Sequence, residues 1–190
     1  MLNLPVKADT PIVAMITRLV AHKGLDLVTA VIEELLQRDV QFVLLGTGEG
    51  YYEGFFRNLA LRHPDKVAAA ITFNADLSRK IYSGADVFLM PSKSEPCGLA
   101  QMIASRYCTV AVVRETGGLD DSILAYGAGG NGFTFANYNA HDMLYVINEA
   151  LNLYHNKEEW AKLVHKAATT DFTWSASAKC YDKLYVDMVK

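Results

Sequence analysis

Cysteine is scarce in this chain, and the three that occur do not pair by spacing. Cys97, Cys108 and Cys180 are odd in number, unevenly placed and form no C-x-x-C motif, which argues for a reducing compartment and against a zinc site. The five histidines, His22, His63, His141, His155 and His165, also lack metal-ligand spacing, so no metal and no cofactor are expected. No apolar run approaches the roughly 18 residues of a membrane span, and residues 1–9 carry no signal-peptide pattern. A soluble cytoplasmic protein that makes no membrane contact is the expectation. Basic residues are outnumbered, 18 against 21 acidic, for a net charge of −3. That balance gives a general nucleic-acid surface little support, while a local basic pocket stays compatible with it. Internal repeats and low-complexity tracts are absent too.

What the chain does have is apolar material in short blocks. With 51% apolar and 21% charged residues over 190 positions, one ordered domain with a sizeable core is expected. Residues 1–9 are unperiodic and read as a linker or a cloning boundary; residues 10–190 read as the domain. Pro11–Thr17, Val40–Leu45, Val67–Thr72, Val87–Met90 and Thr109–Val113 are apolar throughout, the mark of strands buried on both faces. Amphipathic helices are expected between them: Leu25–Arg38, near Tyr51–Arg62, from an Asn74 cap to about Ser83, and Gly98–Tyr107. A short edge strand is expected at Gly132–Phe135. Asn139 with Asp142, Asn156 with Glu159, and Thr173 read as caps of three closing helices, which run to about Tyr154, Ala168 and Val189. The last carries an apolar stripe of Tyr181, Leu184, Tyr185 and Met188, assigned mostly to packing. The fold class is therefore α/β, a Rossmann-like parallel sheet with helices on both faces plus C-terminal helices.

In such sheets ligands bind beyond the carboxyl ends of the strands. The chemistry-bearing segments fall there: Arg18–Gly24, Gly46–Gly50, Phe73, Pro91–Gly98 and Arg114–Leu119. Arg18 and Lys23 lie five residues apart in one loop and could reach one diphosphate, the first bidentately and the second as a point charge; taken alone they also fit a solvated surface pair. Glu95 sits where a strand hands over to a helix, with the amides of Cys97, Gly98 and Leu99 expected free at the helix start to bind an anion beside it. An acid next to a phosphate cradle suggests transfer chemistry on a phosphorylated donor, although a loop carboxylate can also merely serve its own helix. Gly117 and Gly118 could offer amides to phosphate or sugar oxygens, or form an ordinary turn. Gly46 and Gly48 stand in G-x-G-x-G rather than the dinucleotide G-x-G-x-x-G, and no acidic residue ends a strand about 20 residues on. An NAD-dependent oxidoreductase is thus the weaker enzyme reading, and close backbone approach to a donor explains these glycines equally well.

Glu95-Pro96-Cys97-Gly98-Leu99-Ala100-Gln101, with Thr17-Arg18-Leu19-Val20-Ala21-His22-Lys23-Gly24 upstream and Thr116-Gly117-Gly118-Leu119 downstream, resembles the C-terminal half of bacterial glycogen and starch synthases. That family consists of retaining, nucleotide-sugar-dependent hexosyltransferases of the GT-B architecture, which has two Rossmann-like domains. The resemblance implies that Arg18 and Lys23 hold the donor diphosphate and act in catalysis together with Glu95, which contacts the transferred glucosyl group. It also implies that Phe73 lies under adenine, that Cys97, with Gly98, Leu99 and Thr116, lines the donor pocket, and that the last helix, 174–189, crosses to the other domain. The implied reaction moves glucose from ADP-glucose to the non-reducing end of an α-1,4-glucan, by front-face attack with the leaving phosphate taking the acceptor's proton. A glycosidase-like carboxylate pair is not recognisable. The partners implied are nucleotide sugar, α-glucan and an N-terminal domain absent from this chain, without which the chain would be inactive. Departures from the family pattern are His22 for Gln, Ser94 for Phe and Ala100 for Thr, while Ile103 replaces the second acid of the wider Glu-x7-Glu pattern. A nonenzymatic nucleotide-sugar binding module is the reading from outside enzymology.

Overall fold

The computed structural model describes residues 2–189; Met1 and Lys190, the outermost positions of the two expected segments, lie outside the described residues. Six strands form one parallel sheet: β1 (Ile12–Ile16), β2 (Gln41–Leu45), β3 (Val67–Ala70), β4 (Val87–Met90), β5 (Val110–Arg114) and β6 (Phe133–Phe135). Their spatial order is β3-β2-β1-β4-β5-β6, with every neighbouring pair parallel. β6 is the edge strand that its Gly132–Phe135 segment leads one to expect.

The strands are apolar without a break because each feeds two cores, alternate side chains going to opposite faces. Val13, Met15, Phe42, Leu44, Val87, Leu89, Val110 and Val112 face one way, beneath α1 (Leu25–Leu35), α2 (Gly50–Arg62), α6 (Ala140–His155) and α7 (Lys157–Thr169). Ala14, Val43, Leu45, Phe88, Met90, Ala111 and Val113 face the other, beneath α3 (Ala75–Gly84), α4 (Ala100–Arg106) and α5 (Gly118–Ser122). Leu2 and Leu4 of the otherwise irregular first segment pack against this second core, and the Gln41 side-chain amide donates to the Pro5 carbonyl.

The caps read from sequence form as expected. The Asn74 side chain accepts from the Leu77 amide, Asn139 from His141 and Asp142, Asn156 from Glu159, and Thr173 from Ala176. One expectation needs correction. The helix expected from Gly98 begins only at Ala100, because Gly98 has φ +76° and a left-handed residue cannot sit inside a right-handed helix. The stripe on α8 (Trp174–Met188) stays unsatisfied, as expected of a last helix that crosses to another domain: Tyr181, Leu184, Tyr185 and Met188 are all exposed, and among the described residues α8 buries none of its own.

Order 3-2-1-4-5-6 reverses direction between β1 and β4, and a crevice opens at the carboxyl ends of that pair. The loop after β1 and the loop after β4 flank it. They touch through Gly24, which has φ +76° and stands so close that a Cβ there would collide with the Pro91 carbonyl. Gly24→Ala should therefore destabilise by about 1–3 kcal/mol. Gly54→Ala, in α2 with open space around the site, should stabilise by about 0.5–1 kcal/mol. Opposite shifts in urea midpoint test both at once, and a shift of the same sign in the two variants would contradict this view of Gly24.

Candidate active site

Four loops, those after β1, β2, β4 and β5, meet at the carboxyl end of the sheet and are bonded to one another by backbone. From the β1 loop, the Leu19 amide donates to Thr47 and the Leu19 carbonyl accepts from Glu49, both after β2. The same loop reaches the β4 loop where the Lys93 amide donates to His22. The β4 loop in turn holds the β5 loop, with the Gly118 amide donating to the Glu95 carbonyl, and side chains at Gly117 or Gly118 would strike Glu95 and Cys97 backbone. The Glu115 amide continues the chain of contacts to Phe135, the last residue of β6.

On this rim the structure places the residues singled out from sequence in three groups. Lys23 and Glu95, 72 residues apart in sequence, form an ion pair of 2.6 Å whose side chains are only 16% and 12% exposed. The same carboxylate oxygen accepts from the buried Ser92 hydroxyl at 3.1 Å. Beside this pair, Arg18, Gly46 and Phe73 line one cavity of about 280 Å³, together with Ile16, Leu45 and Asn74. Phe73 is 91% exposed, so its ring is a free platform rather than core. The Arg18 side chain is exposed and pairs with no carboxylate among the described residues. In the third group Gly98, Thr116, Gly117 and Gly118 shape the β4 and β5 loops, and Cys97 is exposed at their junction.

Several details differ from the sequence expectation. Because α4 starts at Ala100, the amides of Cys97 and Gly98 belong to a loop, and Leu99 is only the N-cap. The buried Gln101 amide group ties that loop down, donating to the Gly98 carbonyl at 2.9 Å and to Ser122 Oγ at 2.9 Å. The Leu99 side chain turns away into a separate apolar groove with Met102, Ile103, Arg106, Tyr107 and Phe172. Gly48 is pressed against Leu19 backbone, and its amide donates to Glu53, which holds that carboxyl below the usual range with further help from Arg57. Gly46 lines the cavity and also lies against the Thr17 carbonyl, whereas Gly48 serves the loop contact alone.

The sequence reading also passed over a cluster on the far side of the pair. Arg114, at the end of β5, spans three carbonyls, and the Tyr138 ring lies 5.7 Å from both its guanidinium and the Lys93 ammonium. The Tyr138 hydroxyl donates to Asp26 at 2.5 Å; burial, then that carboxylate, raises its pKa. A charged residue closing an apolar strand was the signal available in sequence. Among the described residues no group of three or more His, Cys, Asp or Glu is placed to hold a metal, and no helix is long and apolar enough to cross a membrane.

A doubly wound parallel sheet with a cation-bearing β1 loop and a carboxylate-bearing β4 loop at its switch point is a Rossmann-like domain of the GT-B glycosyltransferase class. Comparison with known proteins agrees: the model of the family "Glycosyl transferases group 1" matches residues 3–167. The chain belongs to that family. It is 49% identical over 191 residues to a glycogen synthase of Bacillus cereus (strain Q1), and 51% identical over 192 residues to one of Bacillus licheniformis. Each alignment covers 99% of this chain and 40% of the relative, so the chain spans about 40% of the length of these relatives. Among solved structures, the catalytic domain of starch synthase IV from Arabidopsis thaliana, bound to ADP and acarbose, superposes with a TM-score of 0.88 at 36% identity, covering 98% of this chain and 40% of that one.

A largely buried charge left without its partner costs more than the pair is worth. Lys23→Met should therefore lower stability by about 1–3 kcal/mol, and adding Glu95→Gln should recover most of it. Denaturant midpoints of the two single variants and the double variant measure this; a double variant no better than Lys23→Met would contradict the pairing.

Proposed function

We propose that this chain is the donor-binding C-terminal part of a glycogen synthase, transferring glucose from ADP-glucose to the non-reducing end of an α-1,4-glucan with retention. The observation that carries the reading is the Lys23–Glu95 pair seated at the switch point beside a cavity lined by Arg18 and Phe73. The likeness to a starch synthase bound to ADP supports the choice of nucleotide.

In this reading adenine stacks on Phe73 and the diphosphate runs along the β1 loop. Arg18 grips it bidentately, and Lys23 uses the remaining donors of its ammonium while keeping Glu95. As the anomeric C–O bond breaks, its electron pair goes to the phosphate, and both cations stabilise the charge that develops there. Glu95 supports positive character at the anomeric carbon. The acceptor hydroxyl attacks from the face the phosphate leaves, and the departing phosphate oxygen takes its proton, so configuration is kept. The remaining part of the polypeptide holds the glucan and covers the exposed stripe of α8.

Calorimetric titration tests the donor site. ADP-glucose should bind the chain, and UDP-glucose more weakly. Phe73→Ala should lose about 1–3 kcal/mol of nucleotide binding, the worth of one base stacked on an aromatic ring. Arg18→Ala should weaken binding about tenfold or more, as loss of a charge-assisted bond does, with the denaturation midpoint unchanged. Unaltered affinity in both variants would overturn the site. The chain alone should incorporate no labelled glucose into glucan, whereas the same chain joined to its upstream sequence should; silence of the joined protein would favour a binding module.

A further inference from the structure

We propose that Arg114 is a positioning residue for Glu95, acting through the Ser92–Lys93 peptide; the inference rests on the proposed role of Glu95 beside the transferred sugar. Its guanidinium makes three hydrogen bonds to backbone carbonyls of two loops of the rim. Nε donates to the Ser92 carbonyl at 2.9 Å, Nη2 to the Lys93 carbonyl at 2.6 Å, and Nη1 to the Ala136 carbonyl at 3.3 Å. Ser92 is 1% exposed, and its hydroxyl is one of two groups that hold the Glu95 carboxylate. The other is Lys23, whose turn is tied to the same segment by the Lys93 amide on the His22 carbonyl. Both restraints on Glu95 therefore pass through the two residues that Arg114 clamps.

The clamp is itself held. The Tyr138 ring lies 5.7 Å from the guanidinium, within cation–π range. The Tyr138 hydroxyl donates to Asp26 in the first turn of α1, just past the Lys23 loop. A planar fork with fixed donors suits this task, because two of its bonds lie on consecutive carbonyls of one loop and the third reaches another. Lysine would supply charge without that geometry. Replacing Arg114 should leave the Ser92 and Lys93 carbonyls unpaired and let the Ser92 hydroxyl drift from Glu95, while the cavity of Arg18 and Phe73 on the far side of β1 keeps its lining.

The test uses the chain with 13C-labelled glutamate, the Glu95 carboxyl signal being the one that Glu95→Gln removes. Arg114→Met and Arg114→Lys should each move that signal in the direction in which Ser92→Ala moves it; Tyr138→Phe, which keeps the guanidinium bonds, should leave it in place. ADP affinity should stay within about twofold of the parent. The preference for ADP-glucose over ADP should fall by about tenfold or more in both Arg114 variants, the worth of one hydrogen bond to a charged group. If Arg114→Met fails to fold, Arg114→Lys alone decides the point. A Glu95 signal unmoved in a folded Arg114 variant, or an ADP-glucose preference fully kept, overturns the proposal and leaves Arg114 a staple between loops. If the parent chain binds neither nucleotide, the donor-site reading falls, and the Glu95 signal still decides whether Arg114 places that carboxylate.

Discussion

A lysine and a glutamate taken largely out of water, 2.6 Å apart at the switch point of the sheet, are the constraint to which the rest of this structure answers. Withdrawing two charges from solvent is costly, and an apolar pair of similar size would often serve stability as well or better. Keeping the ions demands that their surroundings hold them in register, and the surroundings do so. Ser92 donates to the carboxylate, and Gly24 lets the lysine loop lie directly on the Pro91 carbonyl. Gly117 and Gly118 let the β5 loop close over the backbone of Glu95 and Cys97. The sheet fixes where the strands end, and the glycines fix how near their loops can come.

The architecture was legible because its determinants are local. Val87–Met90 is a strand residue for residue as read, and the three Asn caps and Thr173 bond to the amides that their positions imply. Apolar runs without alternation pointed to two covered faces, and the side chains of each run do divide between two cores. The start of α4 was missed because the run from Gly98 looks helical by composition while Gly98 takes a positive φ, which periodicity does not encode. Leu99 went astray with it. The candidate site was half legible: loop positions after parallel strands, with the family resemblance, singled out Arg18, Lys23, Phe73 and Glu95. The pairing of Lys23 with Glu95 and the clamp of Arg114 depend on contacts across 72 and about 21 residues, and no spacing rule reaches those.

The rim is divided by task. On the β2–β3 side an open cavity offers an aromatic face and a cation that pairs with no carboxylate among the described residues, groups that lose nothing by waiting for a ligand. On the β5–β6 side three side chains already have partners: Arg114 its carbonyls, Glu115 the Thr134 hydroxyl, Tyr138 the Asp26 carboxylate. Lys23 and Glu95 stand between the receptive half and the rigid half. A transfer site of the kind proposed would need that combination, since binding requires groups free to engage and catalysis requires a carboxylate that does not move. The exposed stripe of α8 belongs to neither half, and suits a chain that spans about 40% of its relatives.

The most direct measurement is a structure of the chain with ADP-glucose bound. The account predicts adenine on the Phe73 ring, the diphosphate between the Arg18 guanidinium and the Lys23 ammonium, and the glucose within hydrogen-bonding reach of the Glu95 loop. A nucleotide seated elsewhere, or a diphosphate that leaves Arg18 and Lys23 untouched, would contradict it.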